Sequence, residues 1–150
     1  MRIVISIGLG VLLSVALVGP SSAREVLAGP IHADLLEVKD GDTIRVRASI
    51  WLDQEIEVNV RIAGIDTPEK GGRAKCAAER VKAERAHFHL EGFLGAGPVI
   101  LRNIQYGKYA GRVIADVANA DFEDAASSLT QEGLARPYQG RKRPGWCSTQ

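Results

Sequence analysis

Two short acidic segments hold the residues best suited to chemistry. "KDGDT" places Asp40 and Asp42 on either side of a glycine, and "RIAGIDTPE" runs from Arg61 through Asp66 to Glu69. Two carboxylates held close together repel each other unless a cation lies between them. Oxygen ligands select Ca²⁺ or Mg²⁺ rather than Zn²⁺. The two segments together therefore indicate a site for a hard divalent cation.

The residues beside these acids suit a phosphate. Pro68 fixes its own φ and biases Thr67 toward an extended conformation, which can direct the Thr67 carbonyl at the same cation and return Glu69 to it. Arg61, and Arg112 in "KYAGR", each offer paired donors that match phosphate geometry. A metal that polarises a phosphoryl oxygen and arginines that stabilise the developing charge together indicate phosphodiester hydrolysis.

Alternating apolar residues predict the strands that must position this site. "ADLLEVKDGDTIRVRASI" predicts two strands that turn at Asp-Gly, and "EIEVNVRIAGI" predicts a third, joined to the second around Trp51 to Gln54. "PVILRNI" and "GRVIADVAN" predict a fourth and a fifth strand. If the first three strands form a meander, the start of the second and the end of the third lie at the same end of the sheet. Asp42 and Asp66 are then expected to converge.

Two segments read as helices. "GGRAKCAAERVKAERAHFHLEGFL" is rich in helix formers and predicts about five turns, and "FEDAASSLTQEG" predicts a second helix, capped by Asp121 and ended by Gly133. The order is three strands, a helix, two strands and a helix, with no third helix in the C-terminal segment. This order predicts an α+β fold of the OB type, a small five-stranded Greek-key barrel.

The N-terminal 23 residues read as a signal peptide. Arg2 precedes an apolar run, and Ser21 and Ala23 provide the small residues of a cleavage site. The alternative is a membrane anchor, but the run is shorter than the ~20 residues that a span needs. We expect residues 24–150 to form one domain with a core at about 33–138 and an irregular tail at 139–150. We also expect a periplasmic or secreted protein without stable membrane association after signal removal.

Charge and cysteine content add two constraints. The chain has 19 basic and 18 acidic residues, and loss of Arg2 with the signal peptide makes the numbers equal. Attraction to a polyanion must therefore come from a local patch, and "GRKRPG" is one candidate.

Two cysteines in an exported chain favour a Cys76–Cys147 disulfide over two free thiols, and a lone pair of cysteines is a poor zinc site. Trp146 beside it is expected to pack on this bridge, and Trp51 to cover the barrel rather than to stack on a base.

In this order, "DGDT", "RIAGIDTPE" and a Gly-Arg pair that opens a later strand resemble the thermonuclease family, the staphylococcal nuclease-like domains. The resemblance covers about Ala33 to Tyr138. It implies a Ca²⁺-dependent endonuclease, a hydrolase that cleaves DNA and RNA with little sequence preference and leaves 3′-phosphates. The partners expected are single-stranded or flexible DNA and RNA, bound by a monomer. The alternative is a non-catalytic OB-fold module that binds nucleic acid or protein.

The resemblance also implies roles for particular residues. The metal ligands it implies are the side chains of Asp42 and Asp66 and the backbone carbonyl of Thr67. The catalytic residues it implies are Arg61, Glu69, which orients or deprotonates the attacking water, and Arg112. The substrate-binding residues it implies are Lys108, Tyr109 and Tyr138. Degenerate members lose such carboxylates or arginines, whereas this chain keeps all five charged side chains. It departs from the family in its C-terminal segment, which a Cys76–Cys147 bridge could join to the first helix.

Overall fold

The computed structural model of the chain describes residues 25–108 and 111–147, so the expected signal peptide and Tyr109 lie outside the described residues. The described residues contain two α-helices, α1 (Ala77–Leu94) and α2 (Ala125–Gln131), and a 3₁₀ turn at Gly71–Arg73. Their strands are β1 (Val26–Leu27), β2 (Ile31–Asp40), β3 (Thr43–Trp51), β4 (Gln54–Ile62), β5 (Ile65–Asp66), β6 (Val99–Tyr106), β7 (Arg112–Ala118) and β8 (Arg136–Pro137).

Five long strands close into a barrel. β2, β3 and β4 form the expected antiparallel meander. β4 then pairs in parallel with β7, β7 pairs antiparallel with β6, and β6 returns to β2. Short β1 extends the sheet beside β6, and β5 pairs with β8 outside the barrel. The fold is therefore an OB-like mixed barrel with helices, as the sequence predicted.

The barrel core follows the predicted alternation. Val38, Ile44, Val46, Val60 and Ile62 are all buried, since alternate residues of a strand point to one face of the sheet. At the far tip of the β3–β4 hairpin, by contrast, the side chains project into solvent. Trp51 is 74% exposed there, so the expectation that it covers the barrel is wrong.

Both predicted helices form, and the second begins at a different residue from the one predicted. α1 has 18 residues, the expected five turns. α2 is capped by Asp124, whose side chain accepts a hydrogen bond from the Ser127 N–H, and not by Asp121. The difference arises because the Asn119 side chain accepts from the backbone N–H of both Asp121 and Glu123, which holds these residues in a turn before the helix. Gly133 follows the helix with φ +65°, as expected of a stop residue.

The C-terminal segment is irregular but anchored. Cys76 and Cys147 form the predicted disulfide, with their Cα atoms 6.1 Å apart. Because Cys76 is the N-cap residue of α1, the bridge joins the segment to the start of that helix. No helix follows α2 within the described residues up to Cys147. Among the helices of the described residues, none has the length and apolar character needed to cross a membrane.

The glycine of "DGD" is required by close packing. A Cβ built at Gly41 would lie 2.7 Å from the Ala86 Cβ and 3.1 Å from the Thr67 Cβ. The β2–β3 turn therefore rests directly on α1 and on the loop after β5. This contact fixes the position of the turn that carries Asp42.

We expect Gly41→Ala to lower the free energy of unfolding by about 1–3 kcal/mol, because the added methyl overpacks this contact. Gly72→Ala is the matched control, since a Cβ at Gly72 would meet no heavy atom of the described residues within 4 Å. Urea unfolding of both variants measures the effect. Equal stability of wild type and Gly41→Ala would contradict the packing argument.

Candidate active site

One rim of the barrel collects the predicted residues. Thr43 at the start of β3 pairs with Arg61 near the end of β4, which places Asp42 beside Arg61. Arg112 opens β7 opposite Asn59. Because Asn59 and Arg61 are two residues apart on one strand, they point to the same face. Both predicted arginines therefore project from the same face of the barrel wall.

These side chains surround a polar cavity of about 190 Å³. Five of the six predicted catalytic and metal-binding residues line it, namely Asp42, Arg61, Thr67, Glu69 and Arg112. A larger groove of about 460 Å³ beside β1 also reaches Arg112, but residues such as Leu27, Ile56 and Val58 make its wall mostly apolar. The polar cavity is therefore the candidate active site.

Asp42 is a buried carboxylate, only 4% exposed. Its Oδ2 lies 2.6 Å from Arg61 Nη1, and its Oδ1 accepts a hydrogen bond from the Thr43 hydroxyl. Burial raises the pKa of Asp42 to about 6, although the Arg61 guanidinium pulls that pKa down. The ionised carboxylate is thus incompletely compensated by protein charge, which favours a further cation beside it.

Asp66 is buried more deeply, at 2% exposure, and the C-terminal segment supplies its contacts. Arg143 Nε lies 3.0 Å from Oδ1, and Arg136 Nη2 lies 3.6 Å from Oδ2. The Trp146 indole N–H donates to Oδ2, so this side chain contacts a site carboxylate, where the sequence had indicated packing on the disulfide. Despite its short distance to Arg143, Oδ1 accepts no well-aligned hydrogen bond from the described residues.

Glu69 is held on both sides at the mouth of the cavity. Its Oε1 lies 2.7 Å from Arg143 Nη1, and its Oε2 lies 3.1 Å from Arg73 Nε. Its backbone N–H donates to Glu79 Oε1, while Glu79 Oε2 accepts from the Lys75 N–H. Glu79 is only 4% exposed, so this carboxylate fixes the loop that presents Glu69.

Sequence reasoning did not assign a site role to Glu79, Arg143 or Arg73. Glu79 follows the N-cap Cys76 by three residues, a position typical of a carboxylate that binds backbone N–H groups at a helix start. That spacing could have drawn attention to it. Arg143 lies in the "GRKRPG" patch and carried no marker beyond positive charge.

The predicted substrate-binding residues are only partly placed. Tyr138 is half-buried, with its ring centroid 5.4 Å from Arg143 Cζ at the edge of the site. Lys108 is exposed, and it is absent from the lining of the polar cavity. Tyr109 lies outside the described residues. Tyr138 is thus the member of this group that the described structure brings near the candidate site.

The donors at the site suit a hard cation. In the described part of the chain, three carboxylate, imidazole or thiol groups come within 4.8 Å of one another at Cys76, Glu79 and Cys147, and the two sulfurs there form the disulfide. The predicted ligands Asp42, Asp66 and the Thr67 carbonyl offer only oxygen. Oxygen-only donors fit Ca²⁺ or Mg²⁺. The raised pKa of Asp42 agrees with that fit.

Comparison with known proteins adds no further assignment. No protein-family model matches the sequence, and no curated protein matches it. The geometry and the chemistry of the cavity therefore carry the functional argument.

We expect Asp42 to make the stability of the metal-free protein depend on pH. Its folded pKa of about 6 exceeds the ordinary 3.8, so folding is penalised fully above pH ~6 and not at all below pH ~4. Relative to Asp42→Asn, which does not titrate here, wild type should lose on the order of 3 kcal/mol as pH rises through that window. Urea unfolding of both proteins in chelator, from pH 4 to pH 7.5, measures the difference. A flat difference would mean that burial does not perturb Asp42.

Proposed function

We propose that this chain is an exported, Ca²⁺-dependent nuclease of the thermonuclease (staphylococcal nuclease-like) type. It hydrolyses phosphodiester bonds of DNA and RNA with little sequence preference and leaves 3′-phosphates. The observation that carries the proposal is the polar cavity on the rim of an OB-like barrel, which Arg61, Arg112, Asp42, Thr67 and Glu69 all line. Carboxylates that can hold a metal ion and two guanidiniums that can stabilise developing charge suit hydrolysis of a phosphodiester.

The carboxylates of Asp42 and Asp66 and the Thr67 carbonyl would hold Ca²⁺, which supplies a Lewis acid for the phosphoryl group. Support for this assignment comes from the oxygen-only donor set and from the burial of both carboxylates. Arg61 already neutralises part of the Asp42 charge, which reduces the repulsion between the two acids. This arrangement favours a cation bound beside buried carboxylates rather than at an exposed acidic surface.

Arg61 and Arg112 bind the phosphate and stabilise the charge that develops on its oxygens. Arg61 is held in place by Asp42 and by the Ile65 carbonyl, to which its Nη2 donates. Arg112 is fixed by its position at the start of β7. Glu69 orients the attacking water and accepts its proton. Glu79 keeps the Glu69 backbone in place through its hydrogen bond.

The size of the cavity bears on the substrate. About 190 Å³ accommodates a phosphate group, and we propose single-stranded or flexible DNA and RNA as the substrates. The disulfide supports a periplasmic or secreted location, because such bonds persist in oxidising compartments. We expect the enzyme to act as a monomer.

The first test is cleavage of single-stranded DNA and of RNA by the oxidised protein. We expect products with 3′-phosphates when Ca²⁺ is present, little activity with Mg²⁺ because an oxygen-only donor set tolerates the larger and less regular Ca²⁺ shell, and none in excess chelator. Gel analysis of end-labelled substrates measures this. Binding without cleavage in Ca²⁺ would support the non-catalytic OB-fold module instead.

The second test is Glu69→Gln. We expect kcat to fall on the order of 10²-fold or more, because an amide cannot accept the proton of water, while the affinity for Ca²⁺ and for nucleotide is retained. Glu91→Gln is the matched control, since Glu91 is exposed on α1. Steady-state kinetics and calorimetry separate the two effects. A near-normal kcat for Glu69→Gln would remove Glu69 from the mechanism and leave it as a structural turn residue.

A further inference from the structure

The C-terminal segment 136–147, here called the tail, places a cation on two acids of the site. Arg143 Nε lies 3.0 Å from Asp66 Oδ1, and Arg143 Nη1 lies 2.7 Å from Glu69 Oε1. Asp66 is a proposed metal ligand and Glu69 the proposed base. The Arg143 guanidinium therefore bridges a proposed metal ligand and the proposed base.

The tail is anchored rather than loosely attached. Cys147, four residues beyond Arg143, is bonded to Cys76 at the start of α1. The Arg136 guanidinium donates to the carbonyls of Pro144 and Gly145 and lies 3.6 Å from the Trp146 ring centroid. Folding and the disulfide already order the backbone that carries Arg143, so its contact with the acids costs little additional conformational entropy. These anchors hold the partly exposed Arg143 side chain against the two acids.

Arg143 supplies the positive charge that a metal would otherwise supply. A carboxylate oxygen in contact with a guanidinium has less capacity to coordinate a divalent cation, because both draw on the same negative charge. The other oxygen of Asp66 is also engaged, by the Trp146 N–H and by Arg136 at 3.6 Å. A cation that binds Asp66 must therefore displace or weaken contacts made by the tail.

We propose that Arg143 is a built-in counter-ion that competes with Ca²⁺ for Asp66, so that the tail determines the Ca²⁺ concentration at which the site fills. The inference rests on the proposed function, because it takes Asp66 as a metal ligand. Removal of a positively charged site residue should then strengthen metal binding.

The test is calorimetric titration of CaCl₂ into oxidised, chelator-stripped protein without nucleic acid, at low ionic strength. We expect Arg143→Ala to bind Ca²⁺ on the order of tenfold more tightly than wild type, which corresponds to about 1.4 kcal/mol. Arg143→Lys should be intermediate, because an ammonium cannot make the same two-nitrogen contact. Arg141→Ala is the matched control: it removes the same charge from an exposed tail position and should change the affinity by less than about twofold, the level of screened surface charge.

The outcomes separate this inference from the proposed function. If Arg143→Ala binds Ca²⁺ as tightly as wild type or more weakly, and wild type is an active nuclease, the proposed competition is wrong and the proposed nuclease function is retained. A similar gain in Arg141→Ala also overturns it, since general charge would then explain the effect. Absence of Ca²⁺ binding in every protein overturns the metal assignment and this inference together. Far-UV circular dichroism checks folding, and Arg143→Lys replaces Arg143→Ala if the latter does not fold.

Discussion

The burial of two carboxylates at one barrel rim is the constraint on which the rest of the site depends. Asp42 is 4% exposed and Asp66 is 2% exposed, and an ionised carboxylate removed from water is unstable unless cations or donors compensate it. The protein provides that compensation from two directions. Arg61, from the barrel wall, contacts Asp42, and Arg143, from the tail, contacts Asp66. A metal ion, a phosphate and the tail would all act on the same balance of charge.

The closed barrel is what makes this balance possible. Pairing of β3 with β4 sets Asp42 beside Arg61, and the parallel pairing of β4 with β7 brings Arg112 to the same face. Ladders of backbone hydrogen bonds and an apolar core fix the backbone at these positions. The loop after β5 lacks such ladders. Glu79 replaces them with hydrogen bonds to the N–H groups of Glu69 and Lys75.

The tail lies against the site residues Asp66 and Glu69 on the outside of the barrel. Its irregular backbone buries little apolar surface and is held by the Cys76–Cys147 bridge, which closes a loop spanning 71 residues. A bridge of that span stabilises the folded state by roughly 4 kcal/mol in chain-entropy terms. The same bridge brings Arg143 and Trp146 against Asp66. One segment therefore carries the disulfide and places positive charge beside a buried acid of the site.

The sequence alone determined the chain order of the five barrel strands and two helices, the length of α1, the disulfide and the choice of acids and arginines for the site, because hydrophobic alternation, turn residues and cysteine number are local or countable patterns. It did not predict the short strands β1, β5 and β8. The tertiary structure decided what depends on distant contacts. Hydrogen bonds to the Asn119 side chain place the start of α2 after Asp124, and the projecting β3–β4 hairpin leaves Trp51 in solvent. The contacts of Arg143 with Glu69 and of Trp146 with Asp66 join residues 74 and 80 positions apart. No local periodicity encodes such pairings, because they exist only once the barrel has closed and the bridge has brought the tail across its rim.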